Sequence, residues 1–177
     1  FLEVLDNLKR RKKWIDAVEI TGGEPSLHKE DVVNILKTVR EEGFLTKLDT
    51  NGSDPDFIKD VRDLVDYWAM DVKASLKNYS KVAGVAVDVD KIKESIKLIK
   101  KTKDYEFRTT VVPGLHDNKE IEKICRLIKG AKRYFIQGFV PNNPLDSKYT
   151  TVKPFPKDKL KEFATTARKY IANVKVR

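Results

Sequence analysis

Short apolar or β-branched runs alternate along this chain with longer patterns in which apolar residues recur every three or four positions. The runs at residues 17–21, 46–50, 67–73, 105–112 and 134–139 each give way to glycine, proline, asparagine or serine, and they read as strands. The patterns at 29–42, 56–64, 90–101, 118–129 and 157–171 read as helices; in the first of these Val32, Ile35, Leu36 and Val39 share a face. Asp54-Pro55 and Gly130 supply start and stop signals. A βα order repeated in this way predicts an α/β fold with a parallel sheet and helices outside it, as an open doubly wound sheet or as part of a βα barrel.

With 177 residues, 40% of them hydrophobic, the expectation is one domain spanning 1–177 around one core, and no linker is visible. No stretch is apolar for the length of a membrane span. The opening FLEVLDNLKRRKKW places its basic cluster after its apolar residues, the reverse of a secretory signal, so a cytoplasmic protein without a membrane partner is expected. One cysteine, Cys125, rules out an intramolecular disulfide and any all-cysteine metal site built from this chain alone. Ile121, Ile124 and Ile128 surround it at helical spacing, which makes it a core residue. The net charge of +9 permits nucleic acid, anionic ligands or an acidic partner. The lysines are spread over nearly every polar helix face, the pattern of a solvated surface, so nucleic acid is not the expected partner.

The strands carry an unusual number of charges. Alternation puts Lys47 with Asp49, Asp71 with Lys73, and Glu106 with Arg108 and Thr110 on common faces. Strands covered on both sides normally read as continuous apolar runs, and an unpaired buried ion costs several kcal/mol, so these groups must meet one another, a ligand or water. They lie toward the strand ends beside Gly22-Gly23-Glu24-Pro25 and Asn51-Gly52, the end at which α/β proteins place ligands. Internal ion pairs and turn caps are the plainer alternative for any one of them.

GGEP at 22–25, LDTNG at 48–52 and AMDVK at 69–73 resemble, in this order, the radical S-adenosylmethionine (SAM) superfamily, and within it the activating enzymes of glycyl radical enzymes. The stretches GFLTKLDTNGSDP, VDYWAMDVKAS and YEFRTTVVPGLHDN are most similar to the branch that activates anaerobic ribonucleoside-triphosphate reductase. The resemblance runs from about Leu8 to the C-terminus, and an ordered set of motifs is far more specific than GGEP alone. It implies a partial (βα) barrel, SAM and a 4Fe-4S cluster as cofactors, a flavodoxin or ferredoxin as electron donor, and a glycyl radical enzyme as partner. A 5'-deoxyadenosyl radical would take a hydrogen atom from that partner's glycine. The family's CxxxCxxC loop is absent here, and residues 1–13 read as a helix with no strand before it. A chain lacking the family's first strand and cluster loop by truncation, and inactive alone, is expected over a cluster-free paralogue.

The resemblance also distributes roles. Carbonyls near Gly22 and Gly23 would accept from the ligand's ammonium, with Asp49 beside them. Glu24 would either add charge there or cap the helix that follows. Lys73 would meet the ligand carboxylate, and Asp71 would orient it or bind a monovalent cation. Arg108 would contact carboxylate or ribose, or else bridge to Glu106. Val111, Val112 and Pro113 would offer adenine an apolar surface. His116 and residues 137–143 are assigned to ligand or partner contact; His28, from its place at a helix start, reads as solvent-facing. Two further readings remain: a radical SAM enzyme that modifies RNA, and a non-catalytic basic nucleic-acid-binding module.

Overall fold

The protein is described from a computed structural model covering residues 1–142, 144 and 146–177. Six strands are ordered as they occur in the chain: β1 (Ala17–Ile20), β2 (Leu45–Thr50), β3 (Tyr67–Asp71), β4 (Tyr105–Val111), β5 (Tyr134–Gly138) and β6 (Val174–Val176). The registers of β1 on β2, β2 on β3, β4 on β5 and β5 on β6 are all parallel. Helices α1 (Leu2–Arg10), α2 (Lys29–Glu41), α3 (Pro55–Val61), α4 (Tyr79–Ala83), α5 (Val89–Ile99), α6 (Asn118–Leu127) and α7 (Lys157–Arg168) fill the intervals. This is the expected α/β alternation. Sequence reading missed β6 and α4: the first is three residues at the chain's end, and the second is one short helix closed by Gly84 at φ +75°. Backbone contacts group residues 1–70 with 90–105, and residues 71–89 with 106–177.

In the first group, Val32, Leu36 and Val39 of α2 are buried as their spacing requires. They join Leu48, Phe57 and Trp68 in an apolar core. β1 lies at the sheet's edge, and its residues alternate between exposed and half-buried. α1 starts without a capping side chain. The start of α3 is better made: Pro55 stands at its first turn and the Asp54 carboxylate accepts from the amides of Asp56 (3.1 Å) and Phe57 (3.0 Å). Lys29 Nζ approaches the same carboxylate at 2.6 Å. Burial would raise the Asp54 pKa, but the Lys29 contact and the two amides outweigh it and hold the group below the usual carboxylate value of 3.8. A depressed native pKa stabilises the fold above the unfolded value and loses that contribution as pH falls. Asp54→Ala should therefore cost about 1 kcal/mol near neutrality. The gap between variant and wild type in urea melts should narrow below about pH 4.

In the second group, Phe107, Ile121, Ile124, Tyr134 and Phe163 are fully buried. Tyr134 is satisfied by donating to Thr109 Oγ1 (2.8 Å), which donates to the Val72 carbonyl (2.6 Å). Burial pushes this phenol's pKa upward, so the hydroxyl keeps its proton and the chain of donors holds.

Candidate functional site

The GGEP and LDTNG stretches of the first group form one hydrogen-bonded unit. Glu24 Oε1 accepts from Thr50 Oγ1 (2.8 Å) and from the Ser26 amide (3.3 Å), and Oε2 accepts from the Asn51 amide (2.7 Å). Glu24 thus caps the 3-10 turn Pro25–His28 and ties the exit of β1 to the end of β2. Thr50 Oγ1 in turn accepts from the Gly52 amide (3.0 Å), and Ser95 Oγ donates to the Gly52 carbonyl (2.7 Å). Asp49 is buried; its Oδ2 accepts from Thr21 Oγ1 (3.1 Å), and Lys47 Nζ lies 3.4 Å from Oδ1 while also pairing with Glu19. Gly22 stands at φ +118°, and a Cβ at either Gly22 or Gly23 would meet nothing within 4 Å. A side chain at either position would therefore project into open space.

Gly52 is constrained far more tightly. At φ +73° its missing Cβ would fall 2.0 Å from Met70 Cε and 3.3 Å from Ser95 Cβ. Met70 is fully buried, so its methyl cannot simply swing aside. Gly52→Ala should lower stability by about 2 kcal/mol or more. Gly114→Ala, also at positive φ (+82°) but facing open space, should cost only about 1 kcal/mol. Chemical denaturation distinguishes them, and equal costs would contradict the Met70 contact.

In the second group the structure brings Asp71, Lys73, Arg108 and Val112 together around a cavity of about 150 Å³, completed by Val82 and Thr110. Arg108 Nε donates to Asp71 Oδ1 at 3.0 Å, and Lys73 Nζ lies 3.7 Å from Asp71 Oδ2. Glu106 pairs with Arg177 Nη1 at 3.2 Å, with the guanidinium stacked 3.6 Å from the Phe135 ring centroid. Glu106 meets a partner that the sequence did not suggest, because β6, unseen in the sequence, brings Arg177 to it. Arg108 keeps only 13% of its side chain exposed, whereas Lys73 keeps 41% and can turn toward a ligand. The Tyr79 hydroxyl accepts from the Lys73 amide and donates to the Asp71 carbonyl, both at 3.3 Å. Burial holds this phenol's pKa up at about 12, which preserves its donor. Nothing in the sequence marked Tyr79 except the glycine that ends its short helix.

Two residues are placed differently from their sequence assignments. Val111 is fully buried and presents no side chain to an adenine; Val112 lines the cavity instead. His116, assigned to ligand or partner contact, is 4% exposed with both ring nitrogens engaged by backbone groups. Of residues 137–143, Asn143 lies outside the described residues, and Val140 is exposed.

The profile of the radical SAM superfamily matches residues 1–128. The chain belongs to the radical SAM superfamily. It is 38% identical over 172 residues to a Methanocaldococcus jannaschii protein provisionally named a glycyl-radical enzyme activating enzyme, covering 93% of this chain and 71% of that protein. A second protein of that organism with the same provisional name is 33% identical over 182 residues, covering 98% of this chain and 66% of the relative. Among solved structures, a domain of pyruvate-formate lyase-activating enzyme from Bacteroides vulgatus superposes with a TM-score of 0.71 at 16% identity, covering 90% of this chain and 98% of that domain. That likeness shows the shared fold, a partial βα barrel.

Membership implies SAM and a 4Fe-4S cluster, and the residues present suit these two differently. SAM carries an ammonium and a carboxylate. In the first group, Gly22-Gly23 and the Asp49 carboxylate carry acceptors suited to an ammonium; in the second, taken by itself, Lys73 and Arg108 offer cations suited to a carboxylate beside a cavity with polar and apolar walls. Each set by itself has the charge that one of these two ends calls for. The cluster is another matter: the chain's one cysteine is fully buried in α6, where burial, aided by Glu122, pushes its thiol up to about 12. No group of three or more His, Cys, Asp or Glu able to hold a metal occurs among the described residues. The donors of this chain do not fit the cluster.

Proposed function

We propose that this chain is the SAM-binding part of an activase that generates a glycyl radical on an anaerobic ribonucleotide reductase or a related partner. The observation that carries this reading is the cluster of Asp71, Lys73 just beyond it, and Arg108 of β4, beside a cavity whose lining mixes charge with Val82 and Val112. The provisional names of the two relatives point to the same class of partner. The thiolates that the family's chemistry needs are supplied from outside these 177 residues, with a flavodoxin or ferredoxin as electron donor.

Each residue's task follows from its surroundings. Asp71 holds Arg108 by a direct hydrogen bond and leaves Lys73 more loosely paired, so an incoming carboxylate displaces the weaker contact and keeps the stronger one. Arg108, largely buried, fixes the cavity's electrostatic floor. Val82 and Val112 exclude water from the apolar part of the ligand. Gly22 and Gly23 let backbone carbonyls approach an ammonium without side chains in between. When bound, SAM supplies the adenosyl group with which the superfamily abstracts hydrogen atoms.

Calorimetric titration with SAM, and with adenosine as a probe lacking the amino-acid end, tests the binding assignment. SAM should bind at least tenfold more tightly, because one charge-assisted contact is worth about 1.5 to 3 kcal/mol. Equal affinities would remove it. The activase assignment is tested with a CxxxCxxC segment joined ahead of Phe1: incubation with a reduced donor, SAM and anaerobic ribonucleotide reductase should yield a carbon-centred radical by electron paramagnetic resonance. A SAM-cleaving enzyme that leaves the reductase without a radical would refute it.

A further inference from the structure

The loop that carries Lys73 is held by side chains after its strand ends. The Lys73 amide donates to Tyr79, its carbonyl faces His116 Nε2 at 2.9 Å, and the Ser75 amide donates to Glu120 Oε1 at 2.7 Å. Glu120 is itself buried; its Oε2 accepts from Asn78 Nδ2 at 2.7 Å, and its amide donates to Asp117 Oδ1 at 2.7 Å. The other nitrogen of His116, Nδ1, lies 3.0 Å from the Val112 amide. A backbone amide can only donate, so Nδ1 accepts, the ring proton sits on Nε2, and Nε2 donates to the Lys73 carbonyl. The turn from Val112 fixes where this ring can go: the Val112 carbonyl accepts from the amides of Leu115 (3.1 Å) and His116 (3.0 Å).

One imidazole therefore spans two walls of the same cavity, the wall that carries Lys73 and the wall that carries Val112. We infer that His116 is a positioning residue for the ligand site: it sets the distance between the carboxylate-binding lysine and the apolar wall that receives the nucleoside. The inference rests on the reading of Lys73 as the carboxylate partner. An apolar side chain of similar size would fill the space but leave the part-buried Val112 amide and Lys73 carbonyl without this partner. Only a group with an acceptor at one end and a donor at the other satisfies both, and neutral imidazole is such a group.

Two substitutions separate the two ends. His116→Asn keeps an acceptor near Nδ1 and loses the donor at Nε2; His116→Gln reaches the Nε2 position with a donor and loses the acceptor facing Val112. Kd values for SAM and for adenosine are measured by calorimetry in both variants, in Lys73→Ala and in the Lys73→Ala/His116→Asn double variant, with melting curves alongside. His116→Asn should weaken SAM about tenfold and leave adenosine within about twofold, the effect of one misplaced charged contact. His116→Gln should show the opposite selectivity, weakening adenosine more than SAM. The double variant should bind SAM no more weakly than Lys73→Ala, since residues acting through one contact are not additive. Equal weakening of both ligands by both variants, unchanged binding in both, or additive losses in the double variant would overturn the inference while Lys73→Ala still weakens SAM. Unchanged SAM binding in Lys73→Ala would instead remove the carboxylate assignment, and this inference with it. Should His116→Asn fail to fold, the selectivity of His116→Gln decides alone.

Discussion

Lys73→Ala should weaken SAM binding by about thirtyfold or more, equivalent to about 2 kcal/mol, the lower end of what truncating one partner of a desolvated charge pair costs. The control is Lys47→Ala. Both lysines lie two residues from an aspartate on the same strand pattern, and composition cannot separate them. Their partners do: Lys47 is committed to Glu19 and Asp49 across β1 and β2, whereas Lys73 keeps 41% of its side chain exposed beside the cavity and only a 3.7 Å contact to Asp71. Removing Lys47 deletes contacts among the protein's own groups, worth up to about 1 kcal/mol of stability, and SAM affinity should change less than threefold. Calorimetry with both variants decides the matter, and equal losses would show that the carboxylate sits elsewhere.

The second large effect is all or none. Anaerobic reconstitution of the 177-residue chain with iron and sulfide should leave it without a stoichiometric 4Fe-4S cluster. Such a cluster is held by several thiolates, and this chain has one cysteine. That thiol is fully buried, and with its pKa pushed up to about 12 it stays protonated at any pH used for reconstitution. Iron counting after desalting, with the visible absorption spectrum, reads the outcome directly. Cys125→Ser should give the same iron content as wild type. A full cluster in the chain by itself would be incompatible with the donor set described above.

Much of this was legible before any coordinates. The helical period of Val32, Leu36 and Val39 and the β-branched runs gave the α/β order, because burial of one face per element is a local property of sequence. The charged strand ends marked Asp71, Lys73 and Arg108, which the structure gathers around one cavity, since alternation fixes which residues share a face. What could not be read depended on distant partners. Arg108 and Glu106 are two apart and share a strand face, which suggested a pair; that Arg177, seventy-one positions from Glu106, reaches the same carboxylate could not be read. The resemblance assigned His116 to ligand or partner contact, and only the positions of Val112 and Lys73 reveal that both nitrogens are in use.

The bond network joining Glu24 to Thr50 and Gly52 changes how the two motifs are to be counted. GGEP and LDTNG, twenty-odd residues apart, look like separate signatures whose coincidence doubles the weight of a match. In the folded chain they share one carboxylate: the Thr50 hydroxyl takes the Gly52 amide on one side and gives its proton to Glu24 on the other. A drift at position 24 would leave the Thr50 hydroxyl without its acceptor, whereas a drift at 50 would leave the Glu24 carboxylate with the amides of Asn51 and Ser26 alone. Positions 24 and 50 thus meet in one contact. In lineages where the glutamate is exchanged, the threonine should be exchanged with it, and a search that treats the two stretches as independent testimony counts one witness twice.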